Sequence, residues 1–238
     1  MSNSYFKFRQ FTIHQDRCAM KVCTDACLFG ALIPVVSATK NILDIGTGTG
    51  LLSLMLAQRT SEGSQIDALE IEEKAFNQAK ENFEQSVFCS KINIFYTDFF
   101  QYQTDKKYDV LVCNPPFYKQ QLATKNTANN LARHNDNFDF SRFFAHCFNI
   151  SKPDADLFLL MPFYRKEEIK LLATHNNWNI NEIYLIKNKK TQTPIRCIFY
   201  LTKKPTATIT EKEIIIYTEE NQYTVTFKSL LHDFYLDG

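Results

Sequence analysis

Asn41-Ile42-Leu43-Asp44-Ile45-Gly46-Thr47-Gly48-Thr49-Gly50 decides how this 238-residue chain folds. The first five residues make a short apolar strand that ends at Gly46. Residues 51–58, Leu-Leu-Ser-Leu-Met-Leu-Ala-Gln, are almost wholly apolar and make a helix that must be buried on all sides. Between the two lies Gly-x-Gly-x-Gly, preceded two places earlier by Asp44. Glycines at a strand end let the backbone turn sharply and approach a ligand closely.

Outward from this unit, strands and helices alternate. Gln65–Glu70, Ile92–Tyr96 and Tyr108–Cys113 are strands, followed by 156–161, 180–186 and 195–201. Helices are expected at 72–84, 138–150 and 165–175, from apolar residues at spacings of three and four. In the first of these, Phe76, Ala79 and Phe83 share a face. This order implies an α/β fold: a doubly wound, Rossmann-like, seven-stranded parallel sheet with helices on both faces. The link between the last two strands is too short for a parallel crossover, so they form an antiparallel pair at one edge. One domain is expected, with an extension over 1–40, a core over 41–204 and a tail over 205–238. The extension holds one added strand at 6–13. The tail reads as a hairpin of 213–218 with 222–227.

Composition is that of an ordinary globular protein, 45% apolar and 22% charged. No apolar stretch approaches the length of a membrane span, and the N-terminus lacks a signal-peptide core; a cytoplasmic location follows by default. Seven cysteines without Cys-x-x-Cys spacing read as reduced, and Cys18, Cys23 and Cys27 with His14 match no common zinc site. No metal is expected. A net charge of +1 means that any nucleic-acid contact is a local patch.

The glycine loop lacks the third glycine of the dinucleotide fingerprint in both possible frames, and no phosphate loop is present. Glu70 ends the second strand, where its carboxylate can accept ribose hydroxyls. Asp98 follows the third strand and can accept from an adenine amino group, with Phe99 packed on the ring. Asp44, Gly46, Gly48, Gly50, Glu70, Asp98 and Phe99 together describe a site for an adenosine without a pyrophosphate.

Asn114-Pro115-Pro116-Phe117 leaves the fourth strand. Two prolines fix the backbone and remove two donors. An amine on a planar ring or amide is a poor nucleophile, because its lone pair is delocalised. The Asn114 side-chain oxygen and the Pro115 carbonyl can accept its two hydrogens and aim the lone pair at a methyl donor. Phe117 can stack on the planar group. The turn alone defines a reaction geometry and leaves open adenine, guanine and glutamine as acceptors.

The core resembles the class I methyltransferases that carry Asn-Pro-Pro-Tyr/Phe. Their sheet has the same antiparallel edge, and their cofactor, S-adenosylmethionine, is the one this resemblance implies. Phe8-Arg9-Gln10-Phe11, Asp16-Arg17-Cys18-Ala19-Met20-Lys21-Val22, Thr24-Asp25, Leu28-Phe29-Gly30-Ala31, residues 51–59, Ala132-Arg133 and Asp233-Phe234-Tyr235-Leu236 resemble one family in particular. This is the bacterial tRNA1(Val) (adenine(37)-N6)-methyltransferase family, and the likeness covers nearly the whole chain. It implies transfer to N6 of the adenine just 3′ of the anticodon in valine tRNA. It also places Lys21 and Thr24 near the cofactor. The chain departs from the commoner pattern at Phe117, where a tyrosine hydroxyl is lost. An adenine in an anticodon loop must be extruded to reach the turn. Candidate contacts to the RNA are Arg133, Lys187, Lys189, Lys190 and Arg196, with Lys119 and Lys125; Trp178 reads as core. Guanine N2 of ribosomal RNA and glutamine N5 of a protein remain as alternatives. The glutamine enzymes would need a peptide-binding N-terminal domain, for which the residues ahead of the first core strand are too few.

Overall fold

A computed structural model describes residues 3–18, 20–35, 39–115 and 138–236. Two short strands open it, β1 (Tyr5–Lys7) and β2 (Thr12–His14), paired antiparallel. Where one strand was expected over 6–13, Phe8 N–H bonds to Phe11 O (2.9 Å) and closes a turn. Helix α1 (Thr24–Leu32) follows. The core then runs β3 (Asn41–Ile45), α2 (Leu51–Arg59), β4 (Gln65–Glu70), α3 (Glu73–Glu84), β5 (Ile92–Tyr96) and β6 (Tyr108–Cys113). It continues with α4 (Phe140–Ile150), β7 (Ser151–Pro162), α5 (Lys166–His175), β8 (Asn179–Lys187), β9 (Arg196–Thr202), β10 (Thr210–Ile215) and α6 (Val225–Leu231). β3, β4, β5 and β6 occupy the residues expected of them. β3, β4 and β6 are buried along almost their whole length, as interior parallel strands are, while β5 at the sheet edge buries only Ile92.

The main sheet has the order β10-β8-β9-β7-β6-β3-β4-β5, parallel except that β9 is antiparallel to both neighbours. Successive side chains of a strand face opposite sides, and each strand feeds two cores. On one side Ile42, Val110, Val112 and Phe158 meet α1, α2, α3 and α6. On the other, Leu43, Leu111, Leu157 and Leu159 meet α4 and α5, whose Phe143, Phe144 and Ile169 are fully buried.

Two expectations are corrected at the C-terminal end. The sheet has eight strands rather than seven, because β10 pairs parallel with β8. β9 also lies inside the sheet, so the antiparallel pair is not at its edge. The reason is topological: β9 runs downward and delivers the chain to the amino end of the sheet. A short connection under β8 then suffices, and no crossover helix is needed. Nor is there a C-terminal hairpin with a second arm over 222–227. Tyr217 and Tyr223 make a lone antiparallel bridge, and the Thr224 hydroxyl accepts from Phe227 N–H (3.2 Å) to start α6. Phe227 and Leu231, four residues apart, are the buried pair of that helix. The two ends of the chain meet where Arg9 N–H and Nε donate to Phe234 O and His232 O, both at 2.8 Å.

Candidate active site

β3 leads through β4 to β5 in one direction, and β6 leads to β7 in the other. The crevice above β3 and β6 is therefore the switch point of the sheet, where such folds bind ligands. A cavity of about 550 Å³ opens there. Gly46 and Gly48 contribute from the loop after β3, and Glu70 from the end of β4. Asp98 and Phe99 stand after β5, Asn114 and Pro115 after β6. Residues up to 69 positions apart thus share one wall because their strands end side by side. Phe117 and Arg133 lie outside the described residues, as do Lys119 and Lys125.

The glycine loop turns through left-handed backbone at Gly46, Gly48 and Gly50 (φ 71°, 58° and 85°). At Gly50 a Cβ would lie 2.4 Å from the Phe83 ring on α3, so conformation and space both demand glycine. Glu70, nearly buried, holds the loop in shape. Its Oε2 accepts from Gly48 N–H (2.8 Å), and its Oε1 accepts from Ile71 N–H and Glu72 N–H (both 2.9 Å). A carboxylate has about four acceptor positions, so one remains open, on Oε2, for a hydroxyl in the cavity. Asp98 uses Oδ1 to accept from Phe100 N–H (2.9 Å), which caps a single 3-10 turn. Phe99 packs against Phe143 and the edge of His146 and shows only a margin to the cavity.

Asp44 is fully buried behind the loop. Its Oδ2 accepts from the hydroxyls of Thr47 (2.6 Å) and Ser53 (2.7 Å), while Oδ1 is buried with no partner among the described residues. Burial pushes its pKa up to about 6, partly offset by the two hydroxyls, and the Glu70 charge adds to the rise. An orphaned buried carboxylate oxygen calls for a cation. The α-ammonium and sulfonium of S-adenosylmethionine suit a site that also offers a ribose acceptor and an apolar wall. The fit leads to a pH prediction. Asp44 holds its proton more tightly in the fold than its ordinary value of 3.8 allows. Between pH 3.8 and about 6 the folded state carries the extra proton, so this contribution to stability declines as pH rises through that window. Cofactor binding goes the other way, since only the ionised carboxylate attracts a cation. Calorimetry should show affinity for S-adenosylmethionine rising from pH 5 to 7 with proton release. Asp44→Asn should flatten that dependence, and an unchanged slope would disprove the assignment.

Lys21 and Thr24 do not line the cavity. Lys21 is exposed and donates to Asn3 O (3.4 Å), and Thr24 begins α1. Their neighbours Cys18 and Met20 line it instead. Sequence reasoning also passed over Phe138, Phe140, Tyr164 and Arg165, which line the same cavity. The available signal was position: Tyr164 and Arg165 follow β7, the strand beside β6, at its carboxyl end. Arg165 lies over the Phe140 ring (4.6 Å) and is held by both oxygens of Glu168. Tyr164 is 72% exposed.

The basic residues near the β8–β9 turn do not line the cavity either. Lys187 pairs with Glu213 (2.6 Å) and Arg196 with Asp25 (2.9 Å), while Lys189 donates to Glu219 O (2.9 Å). Lys190 is exposed on the turn. Trp178 is buried, its indole N–H donating to Phe144 O (3.1 Å). All seven cysteines are free. Among the described residues, no cluster of histidine, cysteine and carboxylate side chains could hold a metal ion, and no helix is long and apolar enough to cross a membrane.

The fold and the crevice are those of the class I methyltransferases. The family model described as methyltransferase small domain matches residues 26–138. A crystal structure of a predicted O-methyltransferase from Agrobacterium tumefaciens superposes with a TM-score of 0.69 at 18% identity, covering 88% of this chain and 96% of that one. A SAM-dependent methyltransferase from Aquifex aeolicus gives a TM-score of 0.51 at 14% identity, over 69% and 82%. Curated relatives are nearer in sequence. A tRNA1(Val) (adenine(37)-N6)-methyltransferase from Cytophaga hutchinsonii is 39% identical over 241 residues, covering all of both chains. One of the same name from Bacteroides thetaiotaomicron is 36% identical over 236 residues, 99% of each. The chain belongs to the tRNA1(Val) (adenine(37)-N6)-methyltransferase family.

Proposed function

We propose that this protein transfers a methyl group from S-adenosylmethionine to N6 of adenine 37 in valine tRNA, as a single cytoplasmic methyltransferase domain. Full-length identity of 39% to a relative of that name carries the choice of substrate. The cavity supplies the chemistry. Bound S-adenosylmethionine would contribute an electrophilic methyl group on a sulfonium.

This chain's own residues do the rest. Asp44, buried behind the glycine loop, supplies negative charge behind the cationic end of the cofactor, Glu70 takes a ribose hydroxyl, and Asp98 accepts from the adenine amino group beside Phe99. Gly46 and Gly48 keep side chains out of the way. Asn114 and Pro115 accept the two hydrogens of the acceptor amine and direct its lone pair toward the methyl carbon. Little basic strength is needed before transfer, because the amine becomes acidic only as the new bond forms. Alignment of this kind can account for roughly 7–11 kcal/mol of a barrier.

The RNA must present an extruded base to the mouth of the cavity. Tyr164, exposed at that mouth, offers a ring for the incoming base or its neighbour. Tyr164→Ala should lower kcat/KM for tRNA by roughly 10-fold, the scale of one lost base–aromatic stack. Its affinity for S-adenosylmethionine should stay unchanged, and equal losses in both would remove Tyr164 from the acceptor side.

The direct test uses labelled S-adenosylmethionine, unmodified valine tRNA and digestion to nucleosides. N6-methyladenosine at position 37 is the expected product. Label in a guanine nucleoside, or in glutamine of a protein substrate with none in tRNA, would overturn the proposal.

A further inference from the structure

We infer that Asn82 is a positioning residue that latches the N-terminal segment across the cofactor cavity and holds the glycine loop with the same side chain. This rests on reading the cavity as the methyl-donor site. Asn82 stands on α3 and is 1% exposed. Its Oδ1 accepts from His14 N–H (2.9 Å), and its Nδ2 donates to His14 O (2.9 Å) and to Thr49 O (2.8 Å). His14 ends β2, and Thr49 belongs to the glycine loop. One buried amide, with both donors and its acceptor in use, therefore ties two distant segments to one helix.

The segment leaving His14 forms part of the cavity wall. Cys18 and Met20 of that segment line it. Gln15, itself buried, closes the segment on its own base. Its Oε1 accepts from Val22 N–H (2.8 Å) and its Nε2 donates to Asn3 O (3.1 Å). Arg17 pairs with Glu81 on α3, but that contact is half exposed and adds little. Burial, with the carboxylates of Glu70 and Glu72, pushes the Cys18 thiol up to about 11. The glycine loop and the segment that begins at His14 thus share one buried side chain, which does not itself line the cavity.

The test uses the full chain and Asn82→Ala. In ligand-free protein, the rate of Cys18 alkylation by iodoacetamide is followed by peptide mass spectrometry, with exposed Cys89 as the internal reference. The variant should alkylate Cys18 several-fold faster relative to Cys89, because local opening exposes it. The Kd and KM for S-adenosylmethionine should rise by about 10-fold, the scale of one buried hydrogen-bonding partner lost. Saturated kcat should stay within about two-fold, because the acceptor turn is untouched. An unchanged Cys18 rate, or a fall in kcat as large as the rise in KM, overturns the latch. Gln15→Ala leaves Asn82 and the glycine loop intact and should show the same two changes in weaker form; neither change in a folded Gln15→Ala protein also overturns it. The Cys18 arm needs no ligand. A wild type that fails to bind S-adenosylmethionine would sink the methyl-donor reading, while the ligand-free rates still judge the latch.

Discussion

Asn114→Ala is expected to lower kcat by about 100- to 1,000-fold, the scale on which one preorganised hydrogen-bonding group contributes to a transition state. In the proposed geometry the substitution removes an acceptor for the reacting amine and leaves Glu70 and the glycine loop in place. Asn114 sits half-buried at the end of β6, beside buried Pro115, so its backbone position is set by the sheet. Affinity for S-adenosylmethionine should therefore change little. Asn114→Asp tests charge against geometry. It keeps an acceptor oxygen but brings a negative charge to the methyl-transfer site, and recovery of part of the activity would support acceptance of a hydrogen bond as the role. Single-turnover methylation of valine tRNA reads the chemical step directly. Full activity in Asn114→Ala would reassign the turn to packing.

Glu70→Ala has the second large expected effect, on cofactor affinity. Three backbone N–H groups, of Gly48, Ile71 and Glu72, converge on this carboxylate. Hydrogen bonds to a charged group contribute about 1.5–3 kcal/mol each. Losing the carboxylate orphans all three donors, releases the glycine loop and removes the ribose acceptor. The Kd for S-adenosylmethionine should rise by roughly 100-fold or more, corresponding to about 3 kcal/mol. Glu70→Gln keeps one oxygen for Gly48 or for the ribose, and should lose less. Calorimetry with S-adenosylhomocysteine measures both without turnover. Equal affinities for wild type and Glu70→Ala would show that the ribose sits elsewhere.

The two predictions rest on sequence and structure in different proportions. For Asn114 the role proposed rests on the sequence, where Asn-Pro-Pro follows a strand, and the structure adds its place on the cavity wall. For Glu70 the sequence showed a carboxylate at a strand end that can accept ribose hydroxyls. The fold puts most of its acceptor capacity to work on the protein's own loop.

Local pattern determined much of this protein. Ile42, Leu43 and Ile45 before Gly46 mark β3, Ile66, Ala68 and Leu69 mark β4, and Val110 to Cys113 mark β6, because short runs rich in apolar residues bury themselves best inside a sheet. Left-handed turns at Gly46, Gly48 and Gly50 follow from residue type. So does the alternation of helix and strand that makes the sheet doubly wound. Tertiary structure alone decided what depends on distant partners. β10 joins β8 because β9 has carried the chain to the amino end of the sheet, a fact absent from the residues of β10. Cys18 and Met20 reach the cavity where Lys21 and Thr24 do not, in a segment whose start at His14 is bonded to Asn82 on α3. Lys187 and Arg196 read as free cations in a line of sequence, but Glu213 and Asp25 are brought to them by neighbouring elements. A pattern of spacing encodes which face a residue takes within its own element. It does not encode which charge or amide another element sets opposite, and in this chain those long-range pairings shape the site.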